Sequence, residues 1–316
     1  MLIEDAANQV NKSNQTAAIA LTSELLSEES TIMNMGVLCV TEQRELRKDF
    51  PTISDRAYKE MKKYAFVSDI MSKDVATIGA GSTMADAAKI MGEKHIGSLV
   101  ILDNDRPQGI VTERDLLTKV LAKRLDPAKT KVMDVMSSPL IAVKPTATIK
   151  EAARTMIERK GRLVVLRDGK LVGIITAADL IKSLPDASET ELGIDKIMTS
   201  HLTSVDESTS VAEAARIMGE QRIGSVIVDR QGQHSGIFTE RDLLTTFLAE
   251  DRSLETKVGE GASYPLVTIP LKSSVHKAAM TMSKKHVRRL LVKENQRSVD
   301  LLGIVTARDL VEAYAK

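Results

Sequence analysis

An internal repeat constrains the fold of this chain more than any other feature of its sequence. Residues 70–118 align without a gap on residues 197–245, so one unit is used twice. A short phrase marks each unit: GIVTERDLL recurs as GIFTERDLL, and GIITAADLI and GIVTARDLV are weaker copies. The four phrases begin at Gly109, Gly236, Gly173 and Gly303. The chain is therefore predicted to contain four related units of about sixty residues each, in the order odd, even, odd, even.

The same local signals recur in every unit and predict an α+β fold. A β-branched stretch precedes a capping residue and an amphipathic helix, and two short apolar strands and a second helix follow. A unit of this size buries too little surface to be robust alone, so the units are expected to pair into two modules that begin near Val67 and Ile194. Capping-box spacing is present at Thr83 with Asp86, Thr148 with Glu151 and Ser210 with Glu213, whereas Ser274 is followed by Lys277.

Composition and charge exclude several classes of function. Lys and Arg number 44 against 43 Asp and Glu, so no net field attracts nucleic acid or an anionic membrane. The single cysteine, Cys39, excludes an internal disulfide, and no spacing among the His residues resembles a metal site. The polar amino terminus does not resemble a secretory signal, and no apolar run approaches the roughly 20 residues of a membrane helix. The sequence therefore predicts a cytoplasmic protein with no metal site.

The first 66 residues lie outside the repeat and form an amino-terminal extension. Residues 14–26 and 54–65 have helical patterns, so the extension is predicted to be partly helical, and no fold is assigned to it. A polar stretch with turn residues, 183–193, is predicted to link the two modules. The predicted boundaries are 1–66 for the extension and 67–126, 127–190, 191–254 and 255–316 for the four repeats.

The four units resemble CBS domains, named after cystathionine β-synthase, arranged as two tandem Bateman modules. The resemblance covers about residues 67–316 and rests on the phrase Gly, two apolar residues, Thr, two variable residues and Asp. It implies a small sheet with two helices in each unit, a pseudo-twofold axis in each pair, and clefts between units that bind adenosine-containing ligands. The layout is similar to that of the gamma subunit of AMP-activated protein kinase.

The resemblance also implies roles for individual residues. The Asp of each phrase is expected to hold ribose hydroxyls, the Thr to contact phosphate or ribose, and the neighbouring Arg to supply charge for phosphate. Basic residues of the even units and hydroxyls of the initial strands are expected to assist. In the second unit Ala178 and Ala142 replace the Arg and the initial hydroxyl, which puts that site in doubt. The predicted ligand-binding residues are Thr77, Thr112, Arg114, Asp115, Arg162, Thr176, Asp179, Ser204, Thr239, Arg241, Asp242, Thr268, Arg289, Thr306, Arg308 and Asp309.

The predicted function is that of a non-catalytic regulatory protein that binds adenosine-containing nucleotides between its repeats and couples occupancy to a partner. No nucleophile or paired carboxylates indicate an enzyme. No cofactor is expected to be required, and AMP, ADP or ATP are the expected regulatory ligands, consistent with energy sensing. The expected partner is a protein or an RNA–protein particle and no membrane, and a homodimer is left open.

Two alternatives follow from the residues themselves. Thr followed three residues later by Asp is also a capping box, so the phrase is either a folding device or a ligand-binding device. The alternative function is an RNA- or ribosome-associated factor that uses the modules as a docking scaffold. The absence of Trp, the 3% of aromatic residues and the near-zero net charge argue against RNA binding by base stacking.

Overall fold

The computed structural model describes residues 64–183 and 192–316. The predicted helix at 14–26, most of that at 54–65 and most of the predicted linker lie outside the described residues. Each repeat has the predicted order of strand, helix, strand, strand and helix, which confirms the α+β class. In every repeat the first strand is parallel to the second, and the third is antiparallel to it.

The first module comprises repeats 1 and 2. The middle strand of each sheet is almost wholly apolar because both of its faces are covered, as at Leu99–Ile101. The elements of repeat 1 are α1 (Val67–Ile70), β1 (Thr77–Gly79), α2 (Met84–Glu93), β2 (Ser98–Asp103), β3 (Arg106–Thr112) and α3 (Glu113–Asp115), and those of repeat 2 are α4 (Val132–Val135), β4 (Ala142–Val143), α5 (Ile149–Glu158), β5 (Leu163–Arg167), β6 (Lys170–Ile175) and α6 (Ala177–Ser183).

The second module repeats this arrangement. In both odd repeats the second helix continues as a π-helical stretch, Leu116–Val120 and Leu243–Leu248. The elements of repeat 3 are β7 (Ser204–Asp206), α7 (Val211–Gln221), β8 (Ser225–Arg230), β9 (Gln233–Thr239) and α8 (Glu240–Asp242), and those of repeat 4 are β10 (Thr268–Pro270), α9 (Val275–Lys285), β11 (Arg289–Lys293), β12 (Leu301–Thr306) and α10 (Ala307–Ala315).

The predicted caps form to different degrees. Complete capping boxes close α2 and α5, where Asp86 and Glu151 bond back to the backbone of Thr83 and Thr148. At α7 only half of the box is present: Ser210 accepts from the backbone of Glu213, but the Glu213 carboxylate binds Arg216 instead. The Arg216 guanidinium therefore takes the carboxylate that would otherwise accept from the backbone N–H of Ser210. At α9 Ser274 alone caps the helix, as the Lys277 at the third position requires.

Within each module the repeats exchange the segments that lead into them. Residues 66–72, ahead of β1, lie on repeat 2, where Ser72 bridges Ile174. The segment ahead of β4 returns to repeat 1, where Ser137 bridges Ile110. The second module repeats the exchange through Thr199 with Ile304 and through Ser263 with Ile237. Each repeat is thus bridged by the leading segment of the other repeat in its module.

The two modules meet through their helices. The helices of repeat 1 pack on those of repeat 3, and the helices of repeat 2 pack on those of repeat 4. One apolar core runs continuously through repeats 2 and 4, and the core of repeat 1 includes Leu244 of repeat 3. Small Ala residues of these helices, such as Ala153 and Ala279, lie in the shared core and permit close helix contact between modules.

Candidate functional site

The Asp of all four phrases bonds back to its Thr at the start of the second helix, and in repeats 1, 3 and 4 the two residues form a complete capping box. In repeat 1 one carboxylate oxygen of Asp115 accepts from the backbone N–H and the hydroxyl of Thr112, at 2.9 and 2.6 Å. In repeat 3 the same two bonds join Thr239 to Asp242 at 2.8 Å each. Repeats 2 and 4 have the same pair of bonds. The folding role of the phrase is therefore real in every repeat.

The second oxygen of each carboxylate takes no part in the box. In repeat 1 it binds the Lys119 ammonium at 2.7 Å, and in repeat 3 it lies 3.4 Å from the Ser263 hydroxyl. In repeat 2 it lies 3.9 Å from the Lys182 ammonium. In these three repeats one carboxylate oxygen lies outside the box, and in repeat 1 a ligand hydroxyl would share it with Lys119.

Burial affects the two phrase Asp residues of the second module differently from the Asp of an exposed box. Burial raises the pKa of Asp242 and that of Asp309 above their ordinary value, although the bonds from Thr239 and Thr306 act in the opposite sense. In the exposed box, the hydrogen bonds from Thr83 have a larger effect than burial and lower the pKa of Asp86. A raised folded-state pKa means that ionisation costs stability, and this cost is relieved as the pH falls through the raised value.

A cavity of about 660 Å³ lies where the four repeats meet. The phrases of repeats 1, 2 and 4 contribute to its lining, and the leading segments of repeats 2 and 3 contribute Ile141 and Thr203. The predicted site residues that line it are Thr112, Arg114, Asp115, Arg162, Thr176, Arg289, Thr306 and Arg308.

The other predicted site residues lie outside the lining of this cavity. Thr77 and Ser204 belong to exposed positions of the initial strands, and the preceding residue of repeat 3, Thr203, faces the cavity instead. Arg241 points toward Glu113 at 3.7 Å. The remaining members of this group are Asp179, Thr239, Asp242, Thr268 and Asp309.

Arginines from repeats 1, 2 and 4 line the cavity, and Arg241 of repeat 3 lies near them. Arg288, which the sequence analysis did not single out, is crowded by Arg241, Arg162 and Arg289. Its pKa falls to about 10, chiefly because of burial and then because of these like charges. The basic run Lys284 to Arg289 is accordingly divided: its first half is exposed, and its two arginines turn inward.

Two glutamates within the phrases were also missed, because they occupy the variable positions between Thr and Asp. Glu240 binds Arg114 at 3.2 Å and Arg289 at 3.3 Å. Its counterpart in repeat 1 is Glu113, which is 5% exposed and faces Arg241. The signal in the sequence was the identical TER in the two odd phrases, which distinguishes them from TAA and TAR in the even ones.

Glycine is required where these glutamates meet the arginines of the even repeats. A Cβ on Gly97 would lie 2.2 Å from Glu113 Oε1 and 2.8 Å from Arg162 Nη2. A Cβ on Gly224 would lie 2.2 Å from Arg289 Nη2 and 2.8 Å from Glu240 Oε2. The IGS sequence of the odd repeats therefore leaves space for a glutamate and an arginine from two different repeats.

The described residues contain no group of His, Cys, Asp and Glu that could hold a metal ion. None of the helices in the described part of the chain has the length and apolar composition that crossing a membrane requires.

The sequence profile of the CBS domain matches the chain four times, at residues 67–122, 132–186, 194–249 and 260–316. The chain belongs to the CBS domain family. Its four CBS repeats confirm the resemblance drawn from the repeated phrase. Hypoxic response protein 1 of Mycobacterium tuberculosis is 38% identical over 120 residues, which are 37% of this chain and 84% of that protein.

Two longer relatives are similar over most of the four CBS repeats. The uncharacterized protein MJ1225 of Methanocaldococcus jannaschii is 31% identical over 198 residues, 57% of this chain and 69% of that one. Its crystal structure, proposed as an archaeal homologue of γ-AMPK, superposes with a TM-score of 0.63 at 21% identity over 79% of this chain and 99% of that chain. An uncharacterized conserved protein from Pyrococcus horikoshii superposes with a TM-score of 0.54 at 22% identity over 79% of this chain and 99% of its own. These structures share the fold of the four CBS repeats.

Proposed function

We propose that this protein is a non-catalytic regulator that binds adenosine-containing nucleotides in the clefts between its CBS repeats and couples their occupancy to a partner. The observation that carries the proposal is the arginine-rich cavity at the junction of the four repeats, which is lined by the Thr of three phrases and by the carboxylate of Asp115. A neighbour in fold is itself proposed as a homologue of γ-AMPK, which favours AMP, ADP or ATP as ligands and a role in energy sensing.

The charge of the cavity favours a phosphate-bearing ligand. Seven of its lining side chains are Lys or Arg, namely Arg114, Arg159, Lys160, Arg162, Arg288, Arg289 and Arg308, against Glu113, Asp115 and Glu240. Guanidinium groups bind phosphate oxygens through paired, charge-assisted hydrogen bonds. An anion would also reduce the repulsion that lowers the pKa of Arg288. The cationic excess is therefore suited to polyphosphate.

The phrases supply the complementary end of the site. The carboxylate oxygen that stays outside the box can accept a hydrogen bond from a ribose hydroxyl, whereas phosphate would be repelled by it. Of the four phrase Asp residues, Asp115 of repeat 1 is the one that lines the cavity, together with Ile141 from the leading segment of repeat 2. A nucleotide lying between them would place its sugar at the phrase and its phosphates among the central arginines.

Coupling to a partner is supported by the position of the cavity between the modules. Arg114 belongs to the first module, and the Glu240 that it binds belongs to the second. A ligand that engages residues of both modules changes the relative stability of their contacts, and a partner that prefers one arrangement responds to it. RNA docking receives less support, because the two arginines of the most basic run face the cavity.

Titration calorimetry tests this proposal. AMP, ADP and ATP are each expected to bind more tightly than adenosine alone or inorganic phosphate alone, because each joins the two halves of the site. Arg288→Ala should weaken nucleotide binding by roughly tenfold to a hundredfold, the effect of losing one charged hydrogen-bonding group. Arg216→Ala is the matched control, because Arg216 binds Glu213 and Glu220 on the surface of α7.

S-adenosylmethionine and NAD complete the titration panel, since they also carry adenosine. If none of these compounds binds the purified protein at millimolar concentration, the proposed function is wrong. Native mass spectrometry of the protein as purified provides a second measurement, in which a co-purifying nucleotide should appear as added mass.

A further inference from the structure

The two odd phrases face each other across the module interface. Arg114 of the first phrase donates from Nε to Glu240 Oε1 of the second phrase at 3.2 Å. In the reciprocal direction Arg241 Nη2 of the second phrase lies 3.7 Å from Glu113 Oε1 of the first. Each TER sequence thus contributes one acid and one base to a contact between modules.

Glu240 occupies two of the cavity's arginines at once. Its Oε1 accepts from Arg114 of repeat 1, and its Oε2 accepts from Arg289 Nη2 of repeat 4 at 3.3 Å. The Glu240 side chain is only 10% exposed, whereas the two arginine side chains are 53% and 21% exposed. The carboxylate therefore takes the position relative to these guanidinium groups that a phosphate oxygen would take.

Glu113 shows that the second contact is incomplete. Its side chain is 5% exposed, and its Oε1 has no hydrogen-bond partner among the described residues. The nearest guanidinium, that of Arg241, remains at 3.7 Å. The arginines on this side, Arg162 and Arg241, are therefore held less firmly by protein carboxylates than Arg114 and Arg289.

We propose that Glu240 is an internal competitor for phosphate that sets the anion affinity of the cavity. This inference rests on the proposed function, since it assigns a regulatory role to a residue of the same site. In the unliganded protein Glu240 neutralises Arg114 and Arg289 and joins the modules. A phosphate group that binds these arginines must displace the carboxylate, and the contact between modules is released in the same step.

The asymmetry between the two glutamates predicts an order of binding. An anion in the cavity can first engage Arg162 and Arg288, since no close carboxylate bond has to be broken there. A longer polyphosphate, or a second ligand, then reaches Arg289 and Arg114 only when Glu240 leaves. Affinity should therefore rise with the number of phosphates less steeply in the wild-type protein than in a protein without the Glu240 charge.

The test uses the full chain, sodium tripolyphosphate and ATP in calorimetric titrations. Glu240→Gln keeps the shape of the side chain and removes its charge, and it is expected to tighten tripolyphosphate binding by roughly tenfold or more because a buried like charge is removed. Glu240→Asp keeps the charge on a shorter side chain, so the affinity of this variant for tripolyphosphate should lie between those of the wild type and Glu240→Gln. Glu207→Gln is the matched control, because it breaks an ion pair with Arg230 on the same repeat outside the cavity lining.

The possible outcomes separate the two proposals. If Glu240→Gln weakens tripolyphosphate binding or leaves it unchanged while the variant unfolds like the wild type, Glu240 is not a competitor and the inference is wrong. If Glu240→Gln tightens binding but ATP binds no better than tripolyphosphate, the inference stands and the nucleotide proposal falls. If neither compound binds any variant, both are wrong. Should Glu240→Gln fail to fold, Glu240→Asp still has to bind more tightly than the wild type.

Discussion

The Asp residues of the repeated phrase illustrate how one side chain can serve folding and binding together. One oxygen of Asp242 closes the box with Thr239, and the other oxygen faces the Ser263 hydroxyl. Burial raises the pKa of Asp242, so the folded protein keeps a carboxylate at a position that disfavours its charge. A structural cap has no need of such a position, as the exposed box of Asp86 shows. This contrast favours a ligand role in addition to the cap.

Replacing Asp242 with Ala should separate the two roles. Loss of the cap is expected to lower the free energy of unfolding by about 0.5 to 2 kcal/mol. If the free oxygen holds ribose, nucleotide affinity should also fall by roughly tenfold to a hundredfold. Chemical unfolding without ligand and calorimetric titration measure the two effects.

Asp86→Ala is the matched control, because it removes the same kind of box from α2 without touching a phrase. It should lose stability and retain affinity. Asp179→Ala should change affinity less than Asp242→Ala, since Ala178 and Ala142 already weaken that repeat. If the Asp242→Ala variant retains the nucleotide affinity of the wild type, the phrase is repeated for folding alone.

At the residue scale the sequence predicted what is local and missed what is distant. Thr and Asp stand three positions apart, so their spacing is enough to predict the box. Arg114 and Glu240 meet only because the modules pack against each other, 126 positions apart in the chain. No spacing rule reports such a contact, and Glu113, Glu240 and Arg288 were therefore absent from the predicted site.

At the scale of elements, close helix contact between the modules depends on glycine. A Cβ on Gly92 of α2 would lie 2.5 Å from Ala249 Cβ and 2.7 Å from the Leu244 carbonyl oxygen of repeat 3. Gly219 of α7 stands in the equivalent relation to Ala122 and the Leu117 carbonyl oxygen of repeat 1. The neighbouring atoms include backbone, which cannot rotate away, so the contact has no room for a side chain.

Gly92→Ala is therefore expected to destabilise the protein, although Ala favours helix over Gly by about 1 kcal/mol. Overpacking a well-packed contact typically costs about 1 to 3 kcal/mol, and here it should exceed the gain in helix propensity. Gly81→Ala is the control, because a Cβ there would meet nothing within 4 Å. Thermal unfolding of both variants measures the difference, and equal melting temperatures would contradict the tight contact between modules.

The elements themselves were largely predictable, since strands and helices follow from apolar periodicity and capping residues. The exception at α7 is instructive. Glu213 has the spacing of a capping box, but Arg216 lies one turn further along the same helix and takes both carboxylate oxygens. A charged partner on the helix surface competed successfully with a backbone amide, and the spacing rule contains no information on that competition.

At the scale of the whole molecule the apolar core follows the helix contacts between modules. Repeats 2 and 4 share one continuous core, and the core of repeat 3 includes Leu117 of repeat 1. Each module was predicted to be the unit of folding because one repeat alone buries too little surface. That small area predicts pairing of repeats, but it does not reveal that the helix faces of one module are covered by the other.

Separation of the second module should therefore expose an apolar helix face. A fragment of residues 192–316 is expected to self-associate into a dimer, because repeat 3 is so similar to repeat 1 that a second copy can take the place of the first module. Sedimentation velocity at micromolar concentration measures this dimerisation. The melting temperature of the fragment should rise with its concentration, as for any dimer whose folded state is stabilised by association.

The full chain, in which this face is already covered, is the control. A monomeric fragment with the melting temperature of the full chain would show that the contact between modules contributes little to stability.

The exchange of leading segments determines how a mechanical load enters the molecule. Residues 66–72 are hydrogen-bonded to repeat 2, with Val67 N–H donating to the Ala147 carbonyl at 2.8 Å and Ser72 exchanging two bonds with Ile174 at 3.0 Å. A pull on the chain at Tyr64 is therefore transmitted to repeat 2 before the sheet of repeat 1, which begins at β1. Any tension from the amino-terminal side would act on the repeat in which Ala178 and Ala142 replace the Arg and the hydroxyl of the other repeats, and the phrase of repeat 1 would be a step further from the load.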